Sequence, residues 1–290
     1  MDFFNTSMEN LWLANVCGLV YFCMGIKFRE DFKIMSILDQ AEVPEQGPIF
    51  ATIAGDPGMG KSSLAALFPD PLFLSLEHGG VGRIHKDIRP KAIAINNMDK
   101  LKEAIKALAS EEHGYKTIVI DTITALEEWI ITDILENDPK KPKSINQALG
   151  GYGNGPSAVA ARHQSFVRNL RIISERKGVH IIFVAHSDTE QIDLPDQDPY
   201  MRYSFRMSKK SIKPYLDEVG LVGFIRLKTF LKSSDASSKK KAFSPGDRLL
   251  DCTANAWSVG KNCYGIKEPL VYEEFKNPLV EHIAQLREEK

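Results

Sequence analysis

The sequence predicts an α/β fold in which a largely parallel, twisted sheet carries helices on both faces. From Ile49 onward, apolar runs rich in β-branched residues alternate with stretches of helical periodicity. A glycine-rich segment, residues 55–62, lies between the first such strand and a short helical run that Pro69 stops. Two strand-like runs near the C-terminus, 220–230 and 248–257, predict an antiparallel extension of the sheet.

The length and composition are typical of one large globular domain, or of one domain with appendages. The chain has 290 residues, of which 43% are hydrophobic and 26% charged. A net charge of −1 argues against wholesale binding to a polyanion but allows a local basic site. The four cysteines, Cys17, Cys23, Cys252 and Cys263, form no CxxC pair and have no histidine at metal-ligand spacing. We therefore expect neither zinc nor a disulfide framework, which suits a reducing cytoplasm.

Three segments are predicted: an N-terminal extension over 1–34, a core domain over 35–270 and a helical tail over 271–290. Residues 11–25 are mostly apolar but too few to span a bilayer comfortably. The residues before them include Asp2 and no lysine or arginine, the wrong charge for a secretion signal. We interpret the extension as dispensable, with a peripheral membrane anchor as the alternative.

The remaining elements follow in order along the core domain. The predicted strands are 49–54, 71–77, 92–95, 117–121 and 179–186, and the predicted helices are 63–68, 98–110, about 126–134 and 157–177. Residues 138–144 read as a Pro/Lys linker and 150–156 as a mobile loop. Residues 232–244, rich in serine and lysine, predict a disordered hairpin tip.

Residues 55–62 read GDPGMGKS and fit the P-loop pattern G-x-x-x-x-G-K-[ST]. Its glycines let successive backbone N–H groups converge on phosphate oxygens, beside a helix N-terminus that favours anions. Lys61 would reach the β- and γ-phosphates of ATP, and Ser62 would ligate Mg²⁺. The strand–loop–helix context argues against a chance glycine-rich turn. The expected nucleotide contacts are Gly55, Asp56, Pro57, Gly58, Met59, Gly60, Lys61, Ser62 and Ser63.

Two carboxylates are candidates for metal-binding and catalytic roles beside the P-loop. Asp121 closes an apolar strand at the edge where ligands bind in parallel sheets, and is expected to hold Mg²⁺ through water. A helix N-cap is its alternative role. The next residue, a glutamate in many AAA-type ATPases, is Thr122. Glu77, at the end of the strand after the P-loop, could instead orient a water onto the γ-phosphate. Its alternative is a solvated strand-end residue.

These motifs resemble those of the RecA family. Residues 71–80, PLFLSLEHGG, resemble its strand with a catalytic glutamate, and 116–124, KTIVIDTIT, are similar to its Walker B strand. Residues 178–186, GVHIIFVAH, resemble the strand whose last polar residue senses the γ-phosphate, here His186. Residues 259–266, VGKNCYGI, resemble the Lys-Asn segment that reaches a neighbouring subunit's nucleotide site in filaments. The resemblance implies a RecA-like P-loop NTPase core, with catalytic roles for Lys61, Glu77, His186 and Lys261.

The motifs span about 49–266, and the architecture resembles the phage-encoded, stand-alone RecA cores linked to single-strand annealing and recombination. This resemblance implies an ATPase that forms ADP and phosphate and acts on single-stranded DNA. It also implies a homo-oligomer, as a filament or ring, in the host cytoplasm, without a membrane partner. A single-strand binding or annealing protein would be a further partner.

Two loops line the filament axis in RecA-like cores, and the matching segments here are 144–156 and 187–214. The first part of the second segment carries acids and no base, and its second part carries bases interleaved with aromatic rings. Such a mixture suits single-stranded DNA, and the acidic part could fold back on the basic part when DNA is absent. An ordinary charged loop with core-packed rings is the alternative. The candidate DNA contacts are Arg202, Tyr203, Phe205, Arg206, Lys209 and Lys210.

Other functions remain open at this point. A hexameric RecA-fold motor, helicase-like or KaiC-like, would share these motifs. So would a nucleotide-dependent scaffold with little turnover. A small-molecule P-loop kinase usually has an arginine-rich insertion for its substrate, and none follows residue 186.

Overall fold

A computed structural model describes residues 37–43, 45–228, 230–232, 241–243 and 246–287. The chain divides into two compact units, Met1–Gln46 and Gly47–Lys290. The described part of the first unit contains the 3-10 helix Ile37–Gln40. The second unit begins at Gly47, inside the predicted 35–270 core domain. The predicted extension over 1–34 lies outside the described residues.

The second unit is built from strands and helices in alternation. Its strands are β1 Phe50–Gly55, β2 Pro71–Ser75, β3 Lys91–Ala94, β4 Thr117–Asp121, β5 His180–Leu194, β6 Gln197–Phe205, β7 Leu221–Leu227, β8 Phe230–Lys232, β9 Lys241–Phe243, β10 Arg248–Asp251, β11 Lys261–Asn262 and β12 Leu270–Tyr272. Its α-helices are α1 Lys61–Ala65, α2 Met98–Ser110, α3 Ile123–Asn137, α4 Asn154–Lys177 and α5 Lys213–Asp217. No helix in the described ranges has both the length and the apolar character needed to cross a membrane.

The strands of the main sheet follow the order β12-β10-β7-β1-β5-β4-β2-β3. From β7 to β3 every neighbouring pair is parallel, whereas β10 and β12 are added antiparallel at the β7 edge. The predicted α/β fold, with a mostly parallel sheet and an antiparallel C-terminal extension, is confirmed. Parallel pairing brings the carboxyl ends of β1, β2, β4 and β5 to one edge of the sheet.

Alternate residues of the central strands face two separate cores, as the period of two requires. Phe50 and Ala54 of β1 face α2, α3 and α4, whereas Ala51 and Ile53 face α1 and the C-terminal segment. Burial of a side chain as large as Phe50 or Ile53 contributes about 1.5–3 kcal/mol relative to exposure. Because the parallel strands are buried on both faces, they read as continuous apolar runs in the sequence.

The C-terminal segment differs from the predicted helical tail. Its first residues belong to β12, and the described part ends in the 3-10 helix Ala284–Leu286. Pro278 disfavours helical geometry at the residue before it, which explains why no long helix forms. Leu279 and Ile283 are instead fully buried in the core on the α1 side of the sheet.

The segment after His186 was expected to be an irregular loop, and this expectation is wrong. Strand β5 continues to Leu194 and pairs antiparallel with β6, from Ser187↔Phe205 to Leu194↔Gln197. A Pro-Asp pair at 195–196 provides the turn that joins the two strands. We call this element the β5–β6 hairpin.

The structure also differs from the sequence prediction at two loops. Helix α4 begins at Asn154, inside the predicted mobile loop over 150–156. Pro156 is tolerated because the first helical turn needs no N–H from it. At the predicted disordered tip over 232–244, β8 pairs antiparallel with β9, and residues 233–240 and 244 lie outside the described ranges.

Candidate nucleotide-binding site

The predicted site residues converge at the carboxyl edge of the sheet. The register pairs Gly55 of β1 with His186 of β5, and Ser75 of β2 with Asp121 of β4. Glu77 follows β2 by two residues and therefore lies on the same edge. The P-loop, two carboxylates and an imidazole thus surround one position.

The P-loop conformation depends on its glycines at two points. A Cβ on Gly55 would lie 2.6 Å from the carbonyl oxygen of Ile225 on β7, so only glycine fits there. Gly60 has φ 92°, in the left-handed region that side chains disfavour, and it precedes α1 directly. Helix α1 ends at Ala65, earlier than the predicted limit of residue 68.

Lys61 is a buried cation beside several anions. Its side chain is 6% exposed, and its Nζ donates a hydrogen bond of 3.0 Å to the backbone oxygen of Asp56. Burial lowers the pKa of Lys61, while the charges of Asp121, Glu77 and Asp56 act in the opposite direction. The nearby charge of Arg206 lowers it further. A buried ammonium held among oxygens is suited to exchange its carbonyl partner for a phosphate.

Asp121 and Ser62 offer oxygen ligands for a cation. Asp121 is 2% exposed, and burial raises its pKa to about 6, against the effect of a hydrogen bond from Ser62. A buried carboxylate in contact with a hydroxyl fits Mg²⁺, which is bound by one or two carboxylates together with substrate phosphates. The N-cap of α3, the alternative role for Asp121, belongs to Thr122, whose Oγ1 accepts a hydrogen bond of 3.2 Å from the Ala125 N–H.

Glu77 is held by two donors. The Thr122 hydroxyl donates to its Oε1 at 2.7 Å, and Nε2 of His186 lies 2.9 Å from the same oxygen. The hydrogen bond with His186, followed by that with Thr122, lowers the pKa of Glu77 to about 2. Because the ionised carboxylate only accepts hydrogen bonds, Nε2 of His186 carries the proton. Glu77 is thus an oriented carboxylate rather than a freely solvated strand end.

A further set of contacts ties the β5–β6 hairpin to the site. The His186 N–H donates to Oγ1 of Thr124 at 3.0 Å, and the Arg206 N–H donates to the His186 oxygen at 2.9 Å. The Ser187 hydroxyl donates to Oδ1 of Asp56 in the P-loop. Thr122 could be recognised from the sequence, because a threonine between a strand and a helix often caps the helix. The contact between Ser187 and the P-loop has no such signal in the sequence.

The antiparallel extension also reaches the P-loop. The Tyr272 hydroxyl donates to the Gly60 oxygen at 3.1 Å. A Cβ on Gly60 would lie 3.0 Å from Nη1 of Arg248, so the side chain of this strand packs closely against the P-loop. Sequence reasoning missed both residues, because pairing between β10 and β12 brings them here from far along the chain.

The candidate DNA contacts divide into paired, buried and exposed residues. Phe205 is 3% exposed and stacks on Phe224 with ring centroids 5.8 Å apart, so its expected role in base stacking is wrong. Arg202 donates to Glu190 at 2.8 Å, so the acidic strand does lie against the basic strand. Tyr203 is 40% exposed. The remaining candidates, Arg206, Lys209 and Lys210, are exposed.

Lys261 does not join this chain's nucleotide site. It pairs with Val222 at the start of β7, the end of that strand farther from the P-loop, and its Nζ donates to the Asp217 oxygen at 2.5 Å. Its expected role concerns a neighbouring subunit and stays a prediction.

Both described cysteines are free thiols: Cys252 is buried, with a pKa that burial raises to about 12, and Cys263 is exposed.

The chain resembles known proteins over most of its length. Residues 48–264 match a family model described as AAA domain. Among solved structures, a crystal structure of the RadB recombinase is 11% identical, with 70% of this chain and 80% of that chain covered and a TM-score of 0.41. No curated protein matches this chain. Because the family model covers well over half of the sequence, the chain belongs to the AAA domain family.

Proposed function

We propose that this protein is a RecA-like ATPase that binds ATP with Mg²⁺, hydrolyses it to ADP and phosphate, and couples this cycle to single-stranded DNA. The observation that carries the proposal is the position of Glu77. It is an ionised, doubly hydrogen-bonded carboxylate on the same sheet edge as Lys61 and Asp121. A P-loop site that only binds nucleotide has no need of a carboxylate held in this way.

The residues divide the work of hydrolysis among them. The loop N–H groups and Lys61 hold the phosphates, with Lys61 exchanging the Asp56 oxygen for phosphate oxygens. Ser62 and Asp121 would hold Mg²⁺, which, when bound, neutralises charge on the phosphate oxygens. Both hydrogen bonds to Glu77 are received by Oε1, which leaves Oε2 to accept a hydrogen bond from the attacking water.

The link to DNA is supported by the β5–β6 hairpin. It begins directly after His186, which contacts Glu77, and its first residue, Ser187, donates to Asp56 of the P-loop. A change at the γ-phosphate position would therefore alter contacts of His186 and Ser187, where the hairpin begins. The motif resemblance favours phage recombination or replication as the setting, in a homo-oligomer in which Lys261 reaches the next subunit's site.

A second candidate function is a nucleotide-dependent scaffold with little turnover. The pKa of about 2 for Glu77 favours it, because a general base is most effective when its pKa lies near the working pH. In the RecA-like ATPase, Glu77 orients water and acts through its charge rather than by holding a proton. The two functions differ in turnover and share nucleotide binding.

ATP hydrolysis measured with and without single-stranded DNA tests the proposal. We expect Mg²⁺-dependent turnover that DNA stimulates and that Lys61→Ala abolishes. Turnover without stimulation would contradict the coupling to DNA, and binding without turnover would favour the scaffold. Electron microscopy of the ATP-bound protein on DNA distinguishes a filament from the closed ring of a hexameric motor.

A further inference from the structure

A cavity of about 440 Å³ lies between the start of the P-loop and the β5–β6 hairpin. Its walls include Asp56, Ser187, Tyr203, Arg226 and Trp257. The volume is within the range of small-ligand sites, about 300–1,000 Å³. The rings of Tyr203 and Trp257 and the side chain of Arg226 take no part in the proposed hydrolysis of ATP.

The two rings are exposed although both are large. Trp257 is 41% exposed and Tyr203 is 40% exposed. Their backbones are joined, since the Tyr203 N–H donates to the Trp257 oxygen at 2.7 Å and the Val259 N–H donates to the Tyr203 oxygen at 3.0 Å. The rings are therefore presented from a fixed backbone. Rigid aromatic side chains with free area are typical of binding surfaces.

Arg226 is held beside these rings by a buried acid. Its guanidinium carbon lies 3.8 Å from the Trp257 ring centroid, and its Nε is 3.7 Å from Oδ2 of Asp251. Asp251 is 2% exposed and is itself fixed by the Thr253 hydroxyl, which donates at 3.0 Å, and by the Asn255 amide at 3.1 Å. The planar guanidinium and the indole thus form a stack whose orientation is set before any ligand arrives.

We propose that this cavity receives one base of a single-stranded DNA, which stacks on the Trp257 indole beside Tyr203 and Arg226. The inference rests on the proposed binding of single-stranded DNA and names a site for it outside the basic residues of the hairpin. Aromatic faces and guanidinium planes bind any base by stacking, because every base has a π-face. The site is therefore indifferent to sequence.

The position of the cavity favours a base of the strand over the base of ATP. One wall is the β5–β6 hairpin, the element that the proposed function assigns to DNA. Asp56 forms another wall, and its carboxylate accepts a hydrogen bond from Ser187 of that hairpin. Lys61 and Ser62, which would hold the triphosphate and its Mg²⁺, are not among the residues that line the cavity, so a base of the strand can enter with its own phosphates left outside.

The test is binding of a labelled oligothymidine to the full chain, followed by fluorescence anisotropy. We expect Trp257→Ala to weaken binding by about fivefold to 150-fold, the range that corresponds to removing one stacking partner from a base. Trp257→Phe, which keeps a ring, should restore most of the affinity. Trp129→Phe, a half-buried tryptophan on α3, is the matched control and should bind as wild type. An oligonucleotide of abasic sites should bind wild type and Trp257→Ala equally.

Each other outcome overturns the inference in a distinguishable way. If wild type does not bind the oligothymidine, both the DNA-linked function and this site fail. If wild type binds and Trp257→Ala binds equally well, the DNA-linked function stands and the site is wrong. If Trp257→Ala loses affinity for ATP instead, the cavity holds the base of the nucleotide. Should Trp257→Ala fail to fold, quenching of tryptophan fluorescence by the oligonucleotide, compared between wild type and Trp257→Phe, decides the question.

Discussion

Nε2 of His186 lies 2.9 Å from Oε1 of Glu77, so the last residue of the core part of β5 and the second residue after β2 share one hydrogen bond. The same oxygen accepts from Thr122, the residue directly after β4. Three strands of the sheet thus fix a single carboxylate. Since β5 continues from His186 into the β5–β6 hairpin, the position of Glu77 is linked to the hairpin through one continuous strand.

Replacing Lys61 by alanine should abolish nucleotide binding and leave the fold intact. The ammonium is buried at a cost, its pKa is lowered for that reason, and its one hydrogen bond in the described structure is to the Asp56 oxygen within the loop. Calorimetric titration with Mg·ATP measures the binding, and circular dichroism checks the fold. Lys100→Ala, at a half-buried position on α2, is the control. Retained ATP affinity in Lys61→Ala would rule out the P-loop assignment.

Asp121→Asn should stabilise the protein at neutral pH in the absence of nucleotide. The pKa of Asp121 rises from 3.8 to about 6 on folding, so folding binds a proton and this stabilisation is lost as the pH rises through 6. Asparagine avoids the cost of a buried charge, which is up to about 3 kcal/mol for such a shift. The gain should be absent at pH 4 and full above pH 7.

Thermal unfolding of both proteins from pH 4 to pH 8 measures this difference. Asp70→Asn, at an exposed position between α1 and β2, serves as the control and should show no such trend. A gain that does not depend on pH would mean that the amide stabilises the site for another reason. The same variant should lose Mg²⁺-dependent nucleotide binding, since an amide is a weaker ligand than a carboxylate.

The central sheet was predictable because its strands are buried on both faces. Residues 118–120 of β4 form an unbroken apolar run for that reason, and α2 was predicted with its observed limits, Met98–Ser110, from one apolar stripe. The P-loop was predictable because its backbone requires glycines at fixed spacing. Sequence patterns of this kind determine the local backbone conformation without contacts from distant segments.

The parts that were missed depend on contacts between distant segments. Tyr272 contacts Gly60 only because β12 pairs with β10, and no sequence pattern around either residue predicts this contact. Phe205 was placed among DNA contacts by its position between basic residues, whereas its register opposite Ser187 turns it toward Phe224. A shift of one residue in a strand exchanges the core face for the solvent face, and composition does not determine it.

Substitutions at the Arg202–Glu190 pair should change DNA affinity in opposite directions. Arg202 donates to Glu190 at 2.8 Å, and Lys209 lies 3.9 Å from the same carboxylate. Glu190→Gln frees both cations and should strengthen binding to single-stranded DNA, while Arg202→Ala should weaken it for all sequences alike. Changing Arg202 and Arg206 together should reduce the salt slope of log K by about 0.7 for each phosphate that the protein no longer neutralises.

Titration of an oligonucleotide at several salt concentrations gives both affinity and slope. Lys102→Ala on α2, a basic residue far from the hairpin in sequence, controls for the general effect of net charge. An unchanged slope in the Arg202 and Arg206 double variant would identify the basic strand as a solvated surface. Equal affinities of Glu190→Gln and wild type would show that the ion pair does not compete with DNA.

Glu77→Gln separates a working ATPase from a scaffold. Glutamine keeps the shape of the side chain and accepts a hydrogen bond from Thr122 or His186, but it removes the charge that polarises the attacking water. A carboxylate that orients and polarises the water stands in the place of a positioned base, whose contribution is about 10²–10⁴-fold, so turnover should fall by up to about that factor. ATP binding should survive, because Lys61, Ser62 and Asp121 remain. If DNA affinity follows the ATP state, the variant should dissociate from single-stranded DNA more slowly than wild type when ATP is present. The paired measurement of turnover and DNA dissociation has two contrary outcomes: wild-type turnover would place the water-orienting group elsewhere, and loss of ATP binding would show that Glu77 has a structural role.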